Sequence, residues 1–244
     1  MTLLIGTASD KHVLLTSDRR CTVEEHGKVS QVDTFQKIYP IPNRPLALVH
    51  HGENVFLDDT GNQISLSAVV AVLIRDNADV FEQLSIEAII KSLADRLEPT
   101  ARRTLANRGK KLIGFWVAGF ARAKRNPEIW EACWYKDGRK EMKAGNNLFV
   151  GGDAQEHLPP SVRDRLDDMY HLDNIPKASV EYTRRYHNKL FDIALNQEPE
   201  PRCFSADRDQ LVIEMDGCRW VTPPFGQDEP FPPDTNLGNE GQIP

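Results

Sequence analysis

Apolar residues come in short, nearly unbroken runs at the start of the chain. Thr2–Ala8 (TLLIGTA) and His12–Ser17 (HVLLTS) are split by Ser9-Asp10-Lys11, a pattern that predicts a hairpin whose strands are buried on both faces. A second hairpin is predicted from Gln36–Ile41 and Leu46–His51, separated by Pro42-Asn43-Arg44-Pro45. From Ile64 the repeat lengthens to about 3.6 residues. Ile86, Ile89, Ile90, Leu93 and Leu97 then fall on one helical face with Ser85 placed to cap it, and two helices are expected over 65–107.

Strand patterns return in LIGFWVAGFA (112–121), EIWEACWY (128–135) and NNLFVGG (146–152), with Lys136-Asp137-Gly138 read as the turn between the last two. Asp153 and Glu156 have capping-box spacing, and Tyr182, Tyr186, Leu190 and Phe191 line one face of a helix over 178–196. Two closing strands are predicted at 210–215 and 218–222, joined by Asp216-Gly217. Runs of strands alternating with runs of helices argue against a doubly wound parallel fold. They suit an α+β chain in which two mostly antiparallel sheets stack and helices cover both outer faces.

Length and composition narrow this further. The 244 residues suffice for one substantial core, expected over 1–225. The stretch 226–244, rich in Pro and Gly with four acids and no Lys or Arg, reads as a flexible acidic tail. A formal charge of -6 argues against a nucleic-acid surface. Cys21, Cys133, Cys203 and Cys218 form no CxxC pair and no zinc-type spacing with histidine. Adjacent His50 and His51 point to opposite faces of a strand and cannot easily share one ion, so one is expected as pocket wall and no metal or cofactor is expected. No signal-type h-region and no run near the ~18 apolar residues of a membrane span is present. The expected setting is the cytoplasm, with no membrane partner.

Four features of the first 52 residues carry chemistry: Thr2, behind only Met1; Ser17-Asp18-Arg19-Arg20 at a strand end; Lys37 in DTFQKIYPI; and Gly52 in LALVHHGEN. Threonine to glycine four residues on, threonine to aspartate sixteen on, an arginine two further, a lysine before an Ile-x-x-Ile strand and a glycine ending the next strand together resemble the proteasome β-subunit family. That family includes the bacterial proteasome-like peptidases, and its members are N-terminal-nucleophile hydrolases with an αββα sandwich. The resemblance is strongest over residues 2–56. Beyond, it rests on the order of elements.

The resemblance implies a threonine peptidase, and each residue type suits its task. An α-amine titrates at about 7.7–8.0, so once Met1 is removed the Thr2 amine can draw the proton from its own hydroxyl through a water. A cationic Lys37 beside it would disfavour the protonated amine, and Asp18 would hold Lys37 charged and oriented. The Gly52 N–H would face the developing oxyanion. Where the family carries Gly-Ser-Gly this chain has Gly151-Gly152-Asp153, and in place of Asp-x-x-Ser-Gly-Gly it has CFSADRDQLVIEMDG, from which Asp207 is the candidate auxiliary acid. The implied partners are a peptide or unfolded protein as substrate, further copies in a homo-oligomeric ring, and a separate ATP-dependent unfoldase. A non-catalytic scaffold subunit and an amidase for small substrates are the alternatives.

Overall fold

The computed structural model describes residues 2–25, 28–81, 83–108, 112–121, 126–135, 137–143, 148–152, 172–197 and 204–222. Chain order begins with β1 (Leu3–Ala8), β2 (Val13–Asp18), β3 (Cys21–Glu25), β4 (Lys28–Val32), β5 (Ile38–Pro40), β6 (Leu46–Gly52), β7 (Val55–Leu57) and β8 (Gln63–Ser65). Helices α1 (Leu66–Phe81) and α2 (Ile86–Arg108) follow, then β9 (Leu112–Phe120), β10 (Pro127–Tyr135), β11 (Gly138–Lys143) and β12 (Leu148–Gly152). A 3-10 turn (Leu172–Lys177), α3 (Val180–Gln197), β13 (Arg208–Glu214) and β14 (Gly217–Thr222) complete the described elements.

Two five-stranded sheets result, one ordered β12-β1-β2-β13-β14 and the other β11-β10-β9-β6-β5, and every described pairing is antiparallel. The apolar residues sort into three cores. Between the sheets, Leu4, Val13, Leu15, Leu211 and Ile213 meet Ala47, Val49, Trp116, Ala118 and Ile129. Alternate residues of the same strands face outward: Leu48, Phe115 and Val117 pack under α1 and α2, while Leu3 and Ile5 pack under Tyr186, Leu190 and Phe191 of α3. This is compatible with a helix–sheet–sheet–helix sandwich. It also explains why β1 and β2 read as unbroken apolar runs, since every residue of both is buried.

Ser85 caps α2 as its position predicts, its hydroxyl accepting the Ala88 N–H at 3.2 Å. The reading of 136–138 needs correction: the turn at Asp137 leads from β10 into β11, not into Leu148–Gly152, which instead pairs with β1 in the other sheet. Strand β11 (GRKEMK) escapes the apolar pattern because it lies at a sheet edge, where charged side chains are tolerated. The two-stranded hairpins β3–β4 and β7–β8 were likewise not expected. The capping pair Asp153 and Glu156 and the segment 226–244 lie outside the described residues.

Candidate active site

The N-terminal end of β1, the C-terminal end of β2 and the entry to β5 meet around one carboxylate. Asp18 Oδ1 accepts the backbone N–H of Leu3 at 2.9 Å and the Lys37 ammonium at 2.7 Å, while Oδ2 accepts the Arg20 N–H at 2.9 Å. Both members of the Asp18–Lys37 pair are fully buried. An ion pair this deep persists only when its remaining hydrogen-bonding capacity is met, and the two backbone donors meet it for Asp18. A single oxygen thus ties Lys37 to the residue that follows Thr2.

Thr2 is 1 % exposed, and its buried hydroxyl has no hydrogen-bond partner among the described residues. Lys37 reaches the next strand through its carbonyl, which accepts the His50 N–H at 3.1 Å, two residues before Gly52. Gly52 ends β6 with φ of 86°, a left-handed conformation that disfavours any side chain. His50 is buried, stacks on Tyr39 and meets Phe35 edge-on. Burial, aided by the Lys37 charge, holds its pKa down at about 3, so it is neutral at physiological pH.

Asp207, the candidate auxiliary acid, and its neighbour Asp209 are placed differently. Asp207 has an exposed side chain and contributes only its carbonyl, which accepts the Ser205 hydroxyl at 2.8 Å. The inward carboxylate is Asp209, two residues on. It accepts the Arg19 guanidinium at 2.6 Å and lies opposite Ser17 in the β2–β13 register. Alternation with Leu211 and Ile213 on β13, and with Val13 and Leu15 on β2, turns Asp209 and Ser17 toward the space between the sheets. The second oxygen of Asp209 and the Ser17 hydroxyl are buried with no hydrogen-bond partner among the described residues. Burial raises the Asp209 pKa to about 6 even though Arg19 pulls it down. The period of two in RDQLVIE carried this signal.

The sequence reading also missed the partners of His51. Its Nε2 meets Glu131 at 2.8 Å, and the same carboxylate oxygen accepts the Trp116 indole N–H at 2.9 Å. A separate cleft of about 500 Å³ opens beside β5 and β14, lined by Gln36, Tyr39, Arg44, Met215 and Trp220 among others. Thr2, Asp18, Lys37 and Asp209 do not line it, so it is distinct from the site around Asp18.

No protein-family model and no curated protein matches the chain. Among solved structures it is similar to a Gly-1 mutant of Anbu from Hyphomicrobium sp. strain MC1, with a TM-score of 0.57 at 14% sequence identity over 91% of this chain and 87% of that one. That likeness shows that the two chains share a fold. No helix among the described residues is long and apolar enough to cross a membrane.

Proposed function

We propose that the chain is a proteasome-like N-terminal-nucleophile hydrolase that cleaves peptide amide bonds with Thr2 after removal of Met1. The observation that carries this reading is the Asp18 oxygen shared between the Leu3 N–H and the Lys37 ammonium, which links the lysine to the residue that follows Thr2. The likeness of fold supports it.

The amine of Thr2 takes the hydroxyl proton through a water, and the oxygen attacks the substrate carbonyl carbon. Negative charge moves to the carbonyl oxygen, where the Gly52 N–H stabilises it; loss of such a donor costs about 10²–10³ in kcat. The C–N bond then breaks, the leaving amine takes the proton from the Thr2 ammonium, and water hydrolyses the resulting ester. Asp18 accepts one N–H of Lys37 and holds the ammonium oriented. Asp209 with Ser17, rather than Asp207, steadies the amine. The proposed setting is a homo-oligomeric cytoplasmic ring acting on peptides or unfolded protein, fed by a separate ATP-dependent unfoldase.

Intact-mass measurement of the purified protein tests the reading. The expected species begins at Thr2 and gains one epoxyketone inhibitor bonded through its amine and hydroxyl, and Thr2→Ala gains none. Retained Met1, or a native Thr2 protein that never takes up the inhibitor, sinks the proposal. A panel of peptides against small acyl-amides separates a peptidase from an amidase, and native mass tests the ring.

A further inference from the structure

The core between the sheets contains one polar cluster that amide hydrolysis does not use. His51 on β6 and Cys133 on β10 stand in the same row of the sheet, both in register with Gly114 of β9 between them, and Glu131 projects from the adjoining row. His51 Nε2, a Glu131 carboxylate oxygen and Cys133 Sγ lie within 4.8 Å of one another, and all three residues are buried. Gly114 makes the cup: a Cβ there would fall 2.2 Å from His51 Nε2.

Glu131 is the hub of the cluster, hydrogen-bonded to His51, to the Trp116 indole N–H and to Cys133. His51 Nε2 is 2.8 Å from Glu131 but also 3.9 Å from Cys133 Sγ, and its Nδ1 is buried with no partner among the described residues. Three chemically different donors converge, where an apolar trio would fill the same space without the desolvation cost. We propose that His51, Glu131 and Cys133 bind one divalent transition-metal ion of the zinc type, held between the two sheets.

One nitrogen, one sulfur and one oxygen are the ligand set of zinc and unlike the all-oxygen sets of calcium and magnesium. Bond lengths of about 2.0–2.3 Å in a tetrahedron place such ligand atoms roughly 3.3–3.8 Å apart. His51 and Glu131 would open slightly and His51 and Cys133 would close slightly. Binding displaces the thiol proton, and the thiolate and carboxylate together balance the ion's two charges, leaving a neutral unit in a low-dielectric core. The inference rests on the sheet geometry and is independent of the Thr2 chemistry.

The test is to produce the full chain in medium supplemented with zinc or with cobalt(II), pass it through EDTA and gel filtration, and measure metal content and visible absorption. Expected are close to one metal per chain and, for cobalt, the visible bands of a tetrahedral ion with a thiolate-to-cobalt charge-transfer band. Cys133→Ser should abolish that band and Cys218→Ser should keep it. His51→Asn should weaken retention by at least the roughly 10–100-fold seen when a supporting group is lost. A wild-type protein without bound metal or without the charge-transfer band overturns the proposal, and so does a band that survives Cys133→Ser. The wild-type spectrum decides even if a variant fails to fold.

Discussion

At the scale of single residues, the Asp18–Lys37 pair joins stability to chemistry. Lys37→Ala leaves a fully buried carboxylate without its cation, which should destabilise the fold by about 3–5 kcal/mol in urea unfolding and abolish hydrolysis. Asp209 gives a pH signature of its own. Its raised pKa means that the unfolded chain releases this proton first as pH rises, so the group lowers stability progressively between pH 3.8 and about 6. A rise from 3.8 to about 6, at about 1.4 kcal/mol per pH unit, makes the effect about 3 kcal/mol. Unfolding free energies measured across that window should lose this downward component in Asp209→Asn; an unchanged slope would count against the assignment. The pairing of Asp18 with Lys37 was legible because the two lie within one short stretch of chain. The meeting of His51 with Glu131 was not, because the two are 80 positions apart and only the sheet register joins them.

At the scale of elements, α3 is held to its sheet by a polar bridge as well as by apolar packing. His187 is hydrogen-bonded to Thr16 of β2 at 2.7 Å and to Thr7 of β1 at 3.1 Å. Burial, with His12 nearby adding to it, keeps its pKa down at about 3 against the ordinary 6.5. Stability from this group is complete above pH 6.5 and is lost as pH falls toward 3, because the unfolded chain takes up the proton and the folded chain does not. His187→Gln should therefore show a shallower acid decline than wild type when urea midpoints are compared through that range. The helices and inner strands were readable because their apolar period matches two-sided or one-sided burial. Strand β11 was not, because an edge position asks for pairing capacity rather than for apolar side chains.

At the scale of the whole molecule, the two sheets close on each other around Trp116. A Cβ at Gly151 would sit 2.3 Å from the Trp116 ring and one at Gly6 would sit 3.1 Å from it, so the glycines of β1 and β12 are what admit the indole. Gly151→Ala should cost about 1–3 kcal/mol in denaturant unfolding by overpacking this slot; a neutral result would mean that the sheets slide apart more easily than this packing implies. The antiparallel sheets and the helices between their strand runs were legible from the succession of strand and helix patterns. Which strand joins which sheet was not, since pairing between β1 and β12 is set by packing over the length of the chain.

That pairing has a consequence for the order of events at the ribosome. Strand β1 is flanked by β2 and β12, and β12 (Leu148–Gly152) is made long after β1 (Leu3–Ala8). Strand β1 therefore waits, half-paired, until the far later β12 has been synthesised. On the proposed threonine chemistry, removal of Met1 belongs to this interval, before the last neighbour shuts the door on Thr2.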